Sequence, residues 1–187
     1  MQYYKKLIGD RVYLSPMNPD DAETYTRWMN DLEIALPLGN ASEIYSLEKE
    51  REALEHLSKA NYNFAIVEIQ SDKLLGNISL FDINLIHRKA EVGIFIGDKD
   101  KWGQGIGMEA MKLILEFGFK IVGLNNILLK VFSFNERAIK LYKKIGFEEI
   151  GRRKESYRLN NKWYDECYFQ IMARDFKSNY FDNYLPD

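Results

Sequence analysis

Residues 90–122, AEVGIFIGDKDKWGQGIGMEAMKLILEFGFKIV, carry the pattern that decides the fold. The apolar run Val92–Ile96 is short enough to be a strand, and a polar turn follows it over residues 97–101. Three glycines then alternate with other residues between positions 103 and 107. From residue 108 to residue 122, apolar side chains recur at three- and four-residue spacing, which predicts a helix. The stretch therefore predicts a strand, a glycine loop and a helix in direct succession.

This order of elements is typical of an anion-binding site. Glycine lets the backbone bend and approach a ligand closely, and the unpaired N–H groups of the first helical turn attract negative charge. A nucleotide P-loop is excluded, because no Gly-Lys-Ser/Thr follows the glycines. The dinucleotide-binding pattern fits Gly105-x-Gly107-x-x-Ala110, but Asn125 and Asn126 stand where its acid is expected. A glycine-rich turn that binds no ligand remains an alternative.

The segment Trp102–Gly107, WGQGIG, resembles the acetyl-CoA loop of the GNAT superfamily of N-acetyltransferases. The family pattern is Arg/Gln-x-x-Gly-x-Gly/Ala, and the last two glycines of the segment fall on its glycine positions. Trp102 stands where Arg or Gln is commoner, which resembles the branch of ribosomal-protein N-terminal and spermidine-type acetyltransferases. The resemblance implies that the N–H groups of Gln104–Met108 bind the diphosphate of coenzyme A and that the backbone of Ile94–Ile96 pairs with its pantetheine arm. The implied acetyl-CoA contacts are Ile94, Phe95, Ile96, Trp102, Gly103, Gln104, Gly105, Ile106, Gly107, Met108 and Asn135.

Residues 133–147, SFNERAIKLYKKIGF, resemble the second GNAT motif, Asn-x-x-Ala-x-x-x-Tyr-x-x-x-Gly-Phe. In that family the Tyr lies beside the coenzyme sulfur and the Asn lies near the pantetheine arm, which gives these roles to Tyr142 and Asn135. A phenol with a pKa near ~10 can protonate a thiolate whose conjugate thiol has a pKa near ~8.5. A core tyrosine and a plain helix cap are the alternative interpretation. Together with the glycine loop, the motif predicts Tyr142 as the catalytic acid.

Glu91, at the start of the same predicted strand, is the second catalytic candidate. Alternation places it on the opposite side from the core-facing residues, where it could accept a proton from the acceptor amine through water. A structural carboxylate at a strand end is the equal alternative. The resemblance further places Trp28, Asp31 and Glu33 beside the acceptor, and structural packing is the alternative for Trp28.

The composition describes one soluble globular domain over residues 1–187, with 46% hydrophobic and 29% charged residues. The net charge of −2 argues against a general nucleic-acid surface. No apolar run reaches membrane-spanning length and no signal peptide is evident, so we expect a cytoplasmic protein without a membrane partner. The single cysteine, Cys167, excludes an internal disulfide and is expected to be a buried, inert thiol. His56 and His87 are too far apart in sequence to suggest a metal site.

The charges are unevenly distributed along the chain. Residues 1–94 contain 10 Lys/Arg and 15 Asp/Glu, whereas residues 95–187 contain 16 and 13. The basic half contains the glycine loop, which suits an anionic acetyl donor. The acidic half is free to face a cationic acceptor of the acetyl group. Ordinary solvated charge explains the same distribution equally well.

The remaining pattern predicts an α+β fold in three layers. Three consecutive strands with short connections, ending with Val92–Ile96, predict an antiparallel meander, and the following helix and strand predict one parallel crossover. Residues 31–45 are interpreted as a loop, and the segment after residue 175 is left unassigned. The predicted fold is GNAT-like, with a mixed, mostly antiparallel central sheet of about seven strands flanked by about four helices.

These observations predict an N-acetyltransferase that uses acetyl-CoA, without a metal. The acetyl group would go to a primary amine, on a protein N-terminus, a polyamine or another small molecule, by direct attack. A catalytically silent module that binds coenzyme A as a sensor or subunit is the main alternative, and a dinucleotide oxidoreductase is the second. The identity of the acceptor and a homodimeric state are left open.

Overall fold

The computed structural model describes residues 3–184, which form eight strands and five α-helices. The strands are β1 (Leu7–Ile8), β2 (Val12–Pro16), β3 (Asn63–Glu68), β4 (Leu74–Asn84), β5 (Lys89–Ile96), β6 (Asn126–Phe132), β7 (Glu148–Leu159) and β8 (Lys162–Met172). The helices are α1 (Ala22–Met29), α2 (Leu32–Leu38), α3 (Leu47–Lys59), α4 (Ile106–Glu116) and α5 (Glu136–Ile145). None of the helices within the described residues has the length and apolar character needed to cross a membrane.

The strands form one sheet in the order β1-β2-β3-β4-β5-β6-β8-β7. The pairs β1–β2, β2–β3, β3–β4, β6–β8 and β7–β8 are antiparallel, whereas β5 and β6 are parallel. This topology confirms the predicted mixed, mostly antiparallel sheet and the single crossover through α4. The strand and helix numbers are each one higher than predicted, because the two-residue strand β1 and the short helix α2 were not recognised in the sequence.

The chain forms two compact units. Unit 1 comprises the residues up to Ser79 together with Ile94–Ile114, and unit 2 comprises Leu80–Gly93 together with the residues from Leu115 onward. The strand β5 contributes its first five residues to unit 2 and Ile94–Ile96 to unit 1. The glycine loop therefore belongs to unit 1, and the second motif belongs to unit 2.

The core of unit 1 is built from β2, β3, α1 and α3. Four consecutive residues of β2, Val12–Ser15, are buried, so both faces of this strand are covered rather than one. Helix α1 contributes Tyr25 and α3 contributes Leu54 to the buried cluster. The side chains of Trp28 and Phe95 pack against the same cluster. This packing places the end of α1 beside the last residues of β5.

The prediction of a loop over residues 31–45 was wrong, because its first part forms α2. Asp31 caps this helix, since its Oδ1 accepts the N–H of Glu33 at 3.0 Å, and Gly39 ends it with a φ of +82°. Pro37 lacks an N–H and so removes a hydrogen bond, but only in the last turn. Proline and glycine thus mark the end of a two-turn helix here and do not prevent it.

Unit 2 follows its sequence signals closely. The strand β6 spans the predicted residues Asn126–Phe132. Asn135 caps α5 by accepting the N–H of Ala138 at 3.2 Å, and Gly146 ends the helix with a φ of +113°. In β8, Cys167 and the alternate residues after it are buried, as expected for a strand with one covered face.

The segment that follows β8 is ordered by one buried carboxylate. Glu116, at the end of α4, is fully buried and accepts hydrogen bonds from the Ser178 hydroxyl and from the N–H groups of Tyr180 and Phe181, the latter two at 3.0 and 3.1 Å. Lys120 pairs with the same carboxylate at 2.8 Å. Burial by itself raises the pKa of Glu116, but these donors outweigh it, so the pKa lies below its ordinary value.

Candidate active site

The glycine loop has the backbone geometry that the sequence predicts for an anion site. Gly103 and Gly105 have φ values of +75° and +83°, in the left-handed region that favours glycine. The N–H of Glu109 donates to the carbonyl of Gly105 at 3.1 Å, which makes this the first bond of α4. The N–H groups of the preceding residues Ile106–Met108 therefore have no acceptor within the helix. A Cβ atom on Gly103 would meet no other atom within 4 Å, so the loop is open on that side.

Trp102 fastens the start of the loop to the end of β5. Its indole Nε1 donates to the carbonyl of Ile96 at 2.8 Å, and its backbone N–H donates to the carbonyl of Lys99 at 3.1 Å. Trp102 stands at the Arg or Gln position of the loop pattern described above, and its indole N–H bonds to the protein backbone. The structure thus brings the glycine loop and the predicted pantetheine strand, Ile94–Ile96, together within unit 1.

A second support of the loop comes from Arg11, which sequence reasoning missed. The side chain of Glu109 is only 3% exposed and pairs with Arg11, whose Nε lies 3.0 Å from Oε2. The Nη1 of the same guanidinium donates to the carbonyl of Gln104 at 2.5 Å. Arg11 and Glu109 are 98 residues apart in the chain, so no local pattern could have identified the pair.

The three predicted acceptor residues lie in unit 1, but all of them have internal contacts. Trp28 makes edge contacts with Tyr25 and Phe95, with ring centroids 5.3 and 5.9 Å apart. The carboxylates of Asp31 and Glu33 pair with Lys99 at 2.7 and 2.6 Å.

The single Lys99 ammonium is shared by the two carboxylates, so one negative charge remains. Its hydrogen bonds to Asp31 and Glu33 raise the pKa of Lys99, and its hydrogen bond to Asp31 lowers the pKa of that carboxyl. Because the pair is exposed, a competing cation in solution can reach the same carboxylates. The sequence contained no signal for this lysine beyond its position in the polar turn after β5.

Tyr142 lies in α5 of unit 2 and is 8% exposed. Its ring makes an edge contact with Phe147, with the centroids 6.0 Å apart. Burial raises the pKa of Tyr142 to about 12. Within residues 3–184, the hydroxyl makes no hydrogen bond, so it is available to a ligand atom. Asn135, at the start of the same helix, uses its side-chain oxygen as the cap.

Glu91 lies in the unit 2 part of β5 and forms an ion pair with Lys130, with Oε2 2.9 Å from Nζ. The hydrogen bond to Glu91 raises the pKa of Lys130. The parallel pairing of β5 with β6 covers three residue pairs and ends at Glu91 and Leu128, although both strands continue. The carboxylate therefore lies where β5 stops pairing with β6.

Other chemistries have little support in the described residues. Cys167 is fully buried, as predicted, and burial raises the pKa of its thiol. His56 and His87 are both exposed. Among residues 3–184, no group of three or more His, Cys, Asp or Glu side chains is arranged to hold a metal ion.

Comparison with known proteins assigns the fold and the loop to a family. Residues 11–148 match the model of the acetyltransferase (GNAT) domain. The chain belongs to the GNAT acetyltransferase family. Family membership and relatives named as N-acetyltransferases identify it as an acetyl-CoA-dependent acetyltransferase.

Three similar proteins illustrate the match to this family. The chain is 28% identical over 178 residues to the "Probable N-acetyltransferase YjcK" of Bacillus subtilis, which covers 90% of this chain and 98% of that protein. It is 31% identical over 119 residues to the spermidine N(1)-acetyltransferase of Escherichia coli K12, covering 62% of this chain and 63% of that enzyme. The crystal structure of spermidine N-acetyltransferase from Vibrio cholerae in complex with CoA and spermine matches with a TM-score of 0.78 and 26% identity, over 88% of this chain and 96% of the other.

Proposed function

We propose that this protein is an N-acetyltransferase that transfers the acetyl group of acetyl-CoA directly to a primary amine. The observation that carries the proposal is the glycine loop, where two left-handed glycines lead into the N–H groups of Ile106–Met108, which have no acceptor within α4. These N–H groups and the helix dipole suit the diphosphate of coenzyme A. The open side of Gly103 leaves room for a ligand to approach the backbone. We assign the pantetheine arm to the backbone of Ile94–Ile96.

Tyr142 is the group that we assign to the departing sulfur. As the amine nitrogen attacks the thioester carbon, the carbon–sulfur bond breaks, and the proton that the nitrogen still loses as the amide forms converts the departing thiolate into the thiol. Full transfer from a phenol with a pKa of about 12 to a thiolate of conjugate pKa ~8.5 costs about 5 kcal/mol. The main contribution of Tyr142 is therefore a hydrogen bond that strengthens as negative charge develops on sulfur.

Glu91 is the group that we assign to the proton released by the amine. A free alkylamine has a pKa near ~10.4 and must lose a proton before it can attack. The ion pair with Lys130 at 2.9 Å fixes the orientation of the carboxylate, while Glu91 keeps its second oxygen to accept a proton through water.

For the acceptor, we propose a cationic aliphatic amine of the polyamine class. The spermidine acetyltransferases among the relatives support this choice. The half-buried carboxylate of Asp31 and the exposed carboxylate of Glu33 also support it, because they already bind one ammonium group, that of Lys99. A protein N-terminus is the alternative acceptor, and it is distinguished by direct assay.

The coenzyme site is tested by thermal unfolding of matched glycine variants. At 100 times its Kd, coenzyme A stabilises the wild type by about 2.7 kcal/mol, or about 5–11 °C for a chain of this length. Gly105→Ala should abolish this shift, because Gly105 has a φ of +83°, which an L side chain rarely adopts, so the loop backbone would have to change. Gly123→Ala is the control, since Gly123 has a similar φ of +78° but lies outside the loop. A full shift in Gly105→Ala would contradict the site.

The transfer reaction is tested by following thiol release from acetyl-CoA with a panel of amines. We expect spermidine and related polyamines to be acetylated, with the modified nitrogen identified by mass spectrometry. Peptides with free N-termini test the alternative acceptor. If coenzyme A binds but no amine releases thiol, the chain is a coenzyme A sensor or subunit, and the proposed transfer is refuted.

A further inference from the structure

The buried carboxylate of Glu109 connects the first turn of α4 to the start of β2. Its Oε1 accepts the backbone N–H groups of Arg11 and Val12 at 2.7 and 3.1 Å. Its Oε2 accepts Nε of Arg11 at 3.0 Å. A charge with 3% exposure is tolerated only when it is paired and hydrogen-bonded, and these three donors provide that pairing. The Arg11 side chain is therefore held at a fixed position from its Nε end.

The other end of the same guanidinium reaches the glycine loop. Nη1 of Arg11 donates to the carbonyl of Gln104 at 2.5 Å, and a Cβ atom on Gly105 would lie only 2.9 Å from Nη2. Arginine suits this geometry, because its planar fork can bind two acceptors at once in a defined orientation. The peptide between Gln104 and Gly105 thus lies directly against a fixed cation.

Holding a carbonyl also sets the direction of the next N–H. In a trans peptide the C=O of one residue and the N–H of the next point in opposite directions. With the carbonyl of Gln104 directed at Arg11, the N–H of Gly105 is directed away from it. Rotation of this peptide changes ψ of Gln104 and φ of Gly105, and the glycine at 105 makes that rotation easy, so the loop sequence alone does not select this orientation. The opposite orientation would present a carbonyl oxygen where the N–H now lies.

We infer that Arg11 is a positioning residue for acetyl-CoA, which fixes the orientation of the peptide between Gln104 and Gly105. The inference rests on the proposed binding of the diphosphate to the loop. Arg11 acts through the backbone and keeps the N–H of Gly105 available together with those of Ile106–Met108. A preorganised loop binds more tightly, because less conformational freedom is lost on binding. This role depends on the acetyl donor, because only an acetyl donor that carries a diphosphate binds to the loop.

The test compares two acetyl donors in Arg11→Gln. S-acetylpantetheine carries the thioester and the arm but lacks the diphosphate. With acetyl-CoA, we expect KM to rise on the order of 10- to 100-fold, with kcat within a few-fold of the wild type. With S-acetylpantetheine, the loss in kcat/KM should be at least ten times smaller. Arg11→Lys should show an intermediate loss with acetyl-CoA, because an ammonium cannot hold Glu109 and Gln104 in the same fork.

Two further variants separate positioning from folding. The double variant Arg11→Gln/Glu109→Gln removes both charges, so no buried carboxylate stays unpaired, and it should show the same donor-dependent loss. Arg152→Gln removes another arginine, which pairs with the carboxylate of Glu149. In this variant, the ratio of kcat/KM with acetyl-CoA to kcat/KM with S-acetylpantetheine should stay as in the wild type. All variants are assayed well below their measured Tm.

Equal losses with both donors would show that Arg11 is only structural, and unchanged KM in Arg11→Gln would refute any role. A wild type whose Tm does not respond to coenzyme A would refute the proposed site itself. If coenzyme A raises the Tm of the wild type and of Arg11→Gln equally, only the role of Arg11 is refuted.

Discussion

Replacing Tyr142 by phenylalanine separates its packing from its chemistry. The ring stays in contact with Phe147, and only the hydroxyl is removed. Since this hydroxyl makes no hydrogen bond within residues 3–184, its loss breaks no internal contact. The free energy of unfolding should therefore stay close to that of the wild type, because no internal hydrogen bond is lost.

The loss of turnover can be estimated from the environment of the hydroxyl. A phenol whose pKa is raised to about 12 is a poor donor for complete proton transfer, so the hydrogen bond to the developing thiolate is what the variant loses. A hydrogen bond to a charged group contributes about 1.5–3 kcal/mol, which corresponds to roughly a 10- to 150-fold fall in turnover. The Kd of acetyl-CoA should change little, because the charge on sulfur appears only during the reaction.

The assay measures kcat, the Kd of coenzyme A and the free energy of unfolding for each variant. Tyr13→Phe is the matched control: Tyr13 is 1% exposed, but its hydroxyl donates to Asp72 at 2.8 Å. This control should lose about 1 kcal/mol of stability and keep its turnover. Unchanged turnover in Tyr142→Phe, with chemistry shown to limit the rate, would refute the assigned role.

The raised pKa of Tyr142 also predicts how stability depends on pH. The folded state holds the phenolic proton more tightly than the unfolded state, whose pKa is near ~10. The resulting stabilisation is complete below pH ~10 and is lost as the pH rises through about 12. Tyr142→Phe should lack this part of the alkaline destabilisation. If the free energy of unfolding falls identically with rising pH in both proteins, the burial of the phenol is contradicted.

Two further substitutions test carboxylates. Glu91→Gln should lower turnover at least ten-fold, whereas Lys130→Gln, which breaks the same ion pair, should keep it; equal losses would instead identify the ion pair as the important feature. Glu116→Gln should lower the free energy of unfolding by about 2–4 kcal/mol and speed proteolysis after β8. Because the pKa of Glu116 is lowered, the wild-type contribution is present above pH ~4.3 and lost as the pH falls further. A variant with the same acid unfolding as the wild type would contradict this assignment.

Local signals predicted much of this fold. The helix α5 could be placed because its cap, Asn135, and its terminal Gly146 act within a few residues of the helix. The glycine loop could be recognised because left-handed backbone at Gly103 and Gly105 favours that residue type. The helix α2 is not evident from the sequence, because Pro37 and Gly39 are typical of a loop and outweigh the single capping signal of Asp31.

The contacts that hold the candidate site depend on strand order and register, which sequence spacing does not reveal. Arg11 meets Glu109 only because β2 and the start of α4 are neighbours in unit 1. Lys130 meets Glu91 because β5 and β6 pair in a particular parallel register. Charged residues are common in any sequence, so the identity of each partner required the structure.

The buried carboxylate at the end of α4 constrains the order in which the chain can fold during synthesis. The residues that donate to Glu116 are translated 62–65 positions after it. While they are still inside the ribosome, closing unit 2 around this side chain would desolvate a charge that lacks most of its donors, which is strongly unfavourable. We therefore expect unit 2 to complete its packing only after residues 178–181 have become available to Glu116. The last step of folding would then depend on a segment that is synthesised well after the glycine loop.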